Sequence, residues 1–290
     1  MQEIKLDFIG SGAPRCGTTK LSRGLAEHPE ICFSERKELH YFNFDHIYNQ
    51  GQGYLSRFFT HCQNKKIRGE WSTDYLYSKK AAERIKSHNP KVKILISLRH
   101  PVDRAYSHYL LQKYSGSIMP WQTFNSAIAG NDKYNYLKLG LYAAPLKDYM
   151  RIFLGEQMHI IIYEEFIDDP ASTFKQLYQF LGVNPDFVPP SLNENVDYRA
   201  RKKFHSLILV AITNKLTLIY KQSRFKKLWR VFRLRNFLRW LKKINRQTAP
   251  QKFNKLPLDQ QARVRLQKFY ESEITAVEKI IGRPLPAWKQ

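Results

Sequence analysis

An α/β fold built around a central parallel sheet is the architecture this sequence predicts, and three observations lead to it. The first is "IKLDFIGSGAPRCGTTKLSRGLAEHP", residues 4 to 29, which reads as strand, glycine loop and helix in immediate succession. The second is a pair of later apolar runs, "KVKILISLRHP" and "MHIIIYEEF", each of the length of a buried parallel strand and each followed by helical spacing. The third is size: 290 residues with 43% hydrophobic content are ample for a packed interior. Ligands of such a sheet sit at the carboxyl ends of its strands.

Taken in order, the opening strand runs into Gly12, four residues, Gly17, then Thr18 and Thr19. A nucleoside-triphosphate loop would place a lysine before the hydroxyl residue. Here Arg15 supplies the nearest positive charge, and the following helix would present its first N–H groups to an anion. "KIRGEWSTDYLY", residues 66 to 77, predicts another strand and its exit loop. The strand "ILISL" ends in Arg99, where a magnesium-binding site would need an acid, and Ser107 follows eight positions later. Protein cations standing in for a metal point to a nucleotide with a second phosphate. Arg99 in an ion pair with Asp103 or Glu83 is the alternative. "PASTFKQLYQFLGV" has helical periodicity with a glycine stop at Gly182.

The composition changes after Asp197. From Tyr198 to Leu258 there is no acidic residue, and "RFKKLWRVFRLRNFLRWLKKINR" interleaves basic with apolar side chains at helical spacing. The stretch 259–290 returns to mixed charge and predicts a packing helix with a proline-rich end. The expected organisation is one domain over 1–290: an α/β core at 1–197, a basic helical region at 198–258 and a packing helix at 259–290.

A formal charge of +23 implies anionic company. The basic region admits packing helices, a lid that attracts an anionic acceptor, or contact with a membrane surface through 225–246. Nucleic acid is not expected, since no reader motif accompanies the charge. Cys16, Cys32 and Cys62 are too few for a disulfide framework and their spacing gives no metal site, so a reducing, cytoplasmic setting is expected. No signal peptide is visible, and "LILVAITNKLTLIY" is too short to span a bilayer.

Several of these stretches together resemble the sulfotransferases that use 3'-phosphoadenosine 5'-phosphosulfate (PAPS). "APRCGTTKL" is similar to their 5'-phosphosulfate loop, which implies cofactor contacts from Arg15, Cys16, Gly17, Thr18, Thr19 and Lys20. "LRHPVDRAYSHY" resembles their 3'-phosphate motif, with Arg99 and Ser107 as ligands. "RKELHYF" is similar to the acid-bearing stretch of the heparan-type branch, which implies Glu38 as catalytic base and leaves His40 as the alternative. Tyr163 matches a tyrosine that packs against adenine, and Arg201 an arginine on the nucleotide. "GLYAAPLKDY" and "IIYEEFIDDPASTFKQLYQFLGV" extend the likeness. Where the heparan-type branch places a basic residue after the glutamate of "GEWSTDY", this sequence has Trp71, so Lys37 or Lys20 is the expected substitute. The resemblance implies metal-independent transfer of a sulfuryl group from PAPS to a hydroxyl of a sugar, lipid head group or natural product. Arg15 and the loop amides would stabilise charge on the departing phosphate. A non-catalytic protein that kept the nucleotide site and binds lipid or polyanion is the competing reading.

Overall fold

The structure is a computed structural model that describes residues 4–119, 121–129, 132, 134–193, 257–289 and scattered positions between 208 and 240. Five strands, β1 (Phe8–Ser11), β2 (Ile31–Phe33), β3 (Ile67–Ser72), β4 (Lys93–Leu98) and β5 (Met158–Ile162), form one parallel sheet in the order β2-β3-β1-β4-β5. β1 is central, paired with β3 through Phe8–Gly69 to Ser11–Ser72 and with β4 through Phe8–Lys93 to Ser11–Ile96. The strand order reverses at β1, so its carboxyl end is the crevice where ligands of open α/β sheets bind.

Burial explains the strands' composition. Ile94 to Leu98 of β4 are all buried, as a central strand covered on both faces requires. β1 is followed by α1 (Thr18–Glu27), which lays Leu21 and Leu25 on the sheet beside Phe8, Phe33 and Leu95. After β5 come α8 (Tyr163–Asp168) and α9 (Pro170–Leu181). α9 has legible ends: the Asp169 side chain accepts from the Ser172 N–H at 2.9 Å, Pro170 occupies the first turn, and Gly182 closes the helix at φ 78°. Phe174, Leu177 and Tyr178 of α9 complete the core on that face.

The chain divides into two compact units. The first joins Met1–Arg104, Leu137–Glu194 and Arg265–Gln290; the second joins Ala105–Tyr136 and Asn195–Val264. In the second, the later part of α5 (Pro101–Tyr114) and α6 (Phe124–Ala129) gather Tyr106, Tyr109, Phe124 and Tyr136 into an aromatic cluster, and the Tyr109 hydroxyl donates to the Gln122 carbonyl at 2.6 Å. In the first, the later turns of the C-terminal helix Gln260–Ile281 pack on the α/β layers, where the Tyr270 hydroxyl donates to the Leu137 carbonyl at 2.7 Å. The 3-10 turn Pro286–Trp288 buries Trp288 against Tyr142, with ring centroids 6.0 Å apart.

The cysteine expectation needs a correction. Cys32, on β2, is bonded to Cys62, with Cα atoms 5.5 Å apart across 30 positions of sequence. A lone pair at that distance in the chain has no motif; parallel pairing of β2 with β3 is what brings the loop before β3 to Cys32. The basic stretch 225–246, apart from Trp240, lies outside the described residues, and among the described residues no helix is long and apolar enough to cross a membrane.

Candidate active site

The loop between β1 and α1 turns on left-handed backbone at three positions, Gly12 (φ 75°), Arg15 (φ 77°) and Gly17 (φ 76°). Gly17 suits its place: beyond its φ, a Cβ there would lie 3.0 Å from Cδ2 of Tyr163, so any substitute is both strained and crowded. The loop is tied to the neighbouring strands. The Ala13 N–H donates to the Ser97 carbonyl at 2.6 Å, the Ser97 hydroxyl donates to the Cys16 carbonyl at 2.5 Å, and the Gly12 N–H donates to the Thr73 carbonyl at 3.1 Å. So held, the loop delivers the first turn of α1, whose leading N–H groups have no intrahelical partners, to the carboxyl edge of the sheet.

Trp71 answers the departure seen in the sequence. It is fully buried, lies over Gly10 where no Cβ would fit, and its indole N–H donates to the Gly12 carbonyl at 3.2 Å. It shapes the loop from beneath and brings no charge. Lys37 brings the charge instead: its ammonium donates to the Thr18 hydroxyl at 2.9 Å and stands 3.2 Å from a Glu38 carboxylate oxygen. Burial lowers the Lys37 pKa, with the Glu38 charge opposing. Lys20 lies over the Phe166 ring at 5.7 Å.

Glu38 and His40 also adopt left-handed backbone, at φ 60° and 55°, which non-glycine residues seldom hold unless their surroundings over-determine it. Those surroundings are visible. The Glu38 N–H donates to the Trp71 carbonyl, and its carboxylate accepts from the Thr73 N–H at 2.9 Å and faces the Thr73 hydroxyl at 3.3 Å. The His40 N–H donates to the Ser72 hydroxyl, which donates in turn to Glu70 at 2.9 Å. His40 Nδ1 stands 3.8 Å from Asp74, and the ring packs on Phe44. Burial pushes the Glu70 carboxyl up to about 8, against the Tyr75 and Ser72 hydroxyls and with help from Glu38, so at neutral pH it is an uncharged neighbour of Glu38. Burial likewise raises Asp74.

On the other side of the loop, the Arg99 guanidinium lies 4.3 Å over the Tyr163 ring and its Nη1 donates to the Arg15 carbonyl at 3.3 Å. Among the described residues its Nε is buried without a hydrogen-bond partner, a site for an anionic oxygen. The ion-pair alternative is not what forms: Asp103 faces His100 and Glu83 faces Lys79. Burial drives the Cys16 thiol up to about 12, so this cysteine contributes its backbone and not a thiolate. Ser107 lies on α5 in the second unit, and Arg201 lies outside the described residues.

Arg15, Thr18, Lys37, Glu38 and Arg99 are therefore gathered around one loop at the switch point of the sheet. The residues that sequence reasoning passed over, Glu70, Thr73, Asp74 and Ser97, share one signal: polar side chains in or just after strands that are otherwise buried.

The pattern of the family described as "Sulfotransferase domain" matches residues 5–272 of this sequence. The chain belongs to that family. The sulfotransferase chain is 26% identical over 214 residues to human heparan sulfate glucosamine 3-O-sulfotransferase 5, covering 70% of this chain and 60% of that protein. It is 25% identical over 301 residues to the mouse bifunctional heparan sulfate N-deacetylase/N-sulfotransferase 4, covering 97% of this chain but 31% of that protein. It thus spans less than two thirds of these relatives. A crystal structure of a sulfotransferase from Alicyclobacillus acidocaldarius shares the fold, with a TM-score of 0.71 at 24% identity over 99% of this chain and all of that one.

Proposed function

We propose that this chain transfers the sulfuryl group of PAPS to a hydroxyl of a carbohydrate acceptor, leaving a sulfate ester and 3'-phosphoadenosine 5'-phosphate. The observation that carries the reading is Lys37, one ammonium shared between Thr18 of the anion-binding loop and the carboxylate of Glu38. That contact supports reading Lys37 as the cation for charge growing on a leaving phosphate and Glu38 as the base beside it. PAPS, the donor used by this family, supplies the activated sulfuryl group. The loop amides of Gly17, Thr18 and Thr19, with Arg15 and Lys37, hold the 5' end; those of Cys16 and Lys20 donate to the Ala13 and Gly17 carbonyls. Arg99, with its buried Nε unpartnered among the described residues, suits the 3'-phosphate.

In the reaction, Glu38 accepts the acceptor's hydroxyl proton while the oxygen bonds to sulfur and the bond from sulfur to the phosphate oxygen breaks. Lys37 and Arg15 stabilise the negative charge that appears on that phosphate, as fixed donors do in other group transfers. Glu70, kept neutral by burial, adds no negative charge beside Glu38. A carbohydrate acceptor is supported by the relatives, whose names specify heparan sulfate.

The test is transfer of labelled sulfate from PAPS to a panel of oligosaccharides, paired with titration of 3'-phosphoadenosine 5'-phosphate. Glu38→Gln should cut turnover about 100-fold or more, the scale of a lost general base, and leave bisphosphate affinity nearly unchanged. Transfer that survives this change but fails in His40→Ala would move the base to His40. Tight bisphosphate binding with no transfer to any acceptor would support the non-catalytic reading.

A further inference from the structure

Away from the loop, three side chains with ligand chemistry converge on the end of β2. Cys32 is buried on the strand, Cys62 is half-buried in the loop before β3, and His61 is exposed beside them. His61 Nε2 lies 3.7 Å from the Cys32 sulfur and 4.0 Å from the Cys62 sulfur. Its other nitrogen, Nδ1, faces a Glu35 carboxylate oxygen at 3.3 Å. The three ligand atoms lie within 4.8 Å of one another.

A structural disulfide explains the two sulfurs but not the imidazole held against both of them, nor the carboxylate that orients it. We propose that in the reduced protein Cys32, His61 and Cys62 bind a thiophilic divalent cation of the zinc class, and that the disulfide is the oxidised, closed form of the same site. Tetrahedral zinc with bonds of about 2.3 Å to sulfur and 2.0–2.1 Å to nitrogen separates a nitrogen from a sulfur ligand by about 3.6 Å and two sulfurs by about 3.8 Å. Both nitrogen–sulfur separations are already close to that value. Only the sulfurs must part, by under ~2 Å from the usual bond length, a displacement within reach of side-chain rotation.

The Glu35–His61 contact is the arrangement by which a carboxylate fixes the tautomer of a metal-bound histidine, leaving Nε2 as the ligand. Two thiols give up two protons on binding the cation, and the fourth position opens toward solvent on the His61 side. Closing the site passes two electrons from the two thiolates to a small-molecule disulfide, which takes two protons from solvent and leaves as two thiols, and the cation is freed. This site is independent of the proposed transfer reaction, although β2 leads within a few residues to Lys37 and Glu38.

The experiment uses the full chain without a polyhistidine tag, reduced with a phosphine and titrated with Co²⁺, then Zn²⁺. One equivalent of Co²⁺ should produce a sulfur-to-cobalt charge-transfer band that Zn²⁺ abolishes and that protein oxidised by glutathione disulfide does not show. Cys62→Ser should remove the band, and Glu35→Gln should weaken binding about 10-fold, as losing such a second partner does. If the serine variant fails to fold, exposed His61→Ala should show at least the same loss as Glu35→Gln. A reduced protein with both thiols titratable and no band, binding indifferent to Cys62 and His61, or a disulfide that survives the phosphine would each overturn the proposal.

Discussion

Replacing Glu70 by glutamine should make the protein more stable at alkaline pH and leave it nearly unchanged at pH 5. Burial raises this carboxyl from 4.5 to about 8. Between those values the native state holds a proton that the unfolded chain has released, so stability falls as pH rises through the window. At pH 5 little of the effect has developed; at pH 8 most of it has. Integrating one raised site up to pH 8 gives a loss of about 4 kcal/mol in the wild type. Glutamine does not titrate and retains an oxygen for the Ser72 hydroxyl, so its stability curve should lack this component. Urea unfolding at pH 5, 6.5 and 8, wild type against variant, reads the difference directly. The two proteins should agree to within about 1 kcal/mol at pH 5, the scale of one exchanged hydrogen bond, and differ by about 4 kcal/mol at pH 8. Curves that stay parallel across the range would refute a neutral Glu70 and, with it, the uncharged neighbour assigned to Glu38.

Arg99→Ala should weaken 3'-phosphoadenosine 5'-phosphate by about 1.5–3 kcal/mol, the usual worth of a charge-assisted hydrogen bond, while leaving AMP binding almost untouched in calorimetry. Lys37→Met should lower the turnover number about 100-fold, the scale of losing one preorganised donor, with a smaller change in bisphosphate affinity. Gly17→Ala meets both a left-handed backbone and Tyr163, and should cost about 1–3 kcal/mol of stability in thermal unfolding as well as abolish nucleotide binding. In the basic region, exchanging Arg230, Arg233 and Arg239 for Gln should raise acceptor KM more at low than at high salt, since salt screens charge attraction through solvent over about 8–10 Å at physiological ionic strength.

Much of this protein is legible from its sequence, and the parts that are not have physical reasons. β1, the glycine loop and α1 are adjacent in the chain, so their signals reinforce one another, and α9 carries a cap, a proline and a glycine stop within 14 positions. β2 spans three residues, Ile31–Phe33, too few for any periodicity to show. Arg99 and Lys37 could be named as charges of interest, but their partners, the Tyr163 ring and the Thr18 hydroxyl, exist only once the sheet has assembled. Left-handed backbone at Glu38 leaves no mark in residue type, since glutamate is not a residue that favours it. The Cys32–Cys62 bond depends on parallel pairing of β2 and β3, a contact no spacing rule contains.

Glu164 spans two distant parts of the chain: one carboxylate oxygen accepts from the His100 backbone N–H at 3.0 Å and the other from the Trp288 indole at 2.9 Å. Trp288 follows Glu164 by 124 positions. On a ribosome adding ~5–20 residues each second, the acid would wait about 6–25 s for that partner. A nascent chain can pair all five strands during that interval, yet the segment that carries Arg99 away from β4 lacks this brace until the turn at Pro286–Trp288 arrives. Completion of this edge of the sheet is thereby tied to residues more than a hundred positions downstream, and a chain cut before Pro286 would carry a finished sheet with an unclosed edge.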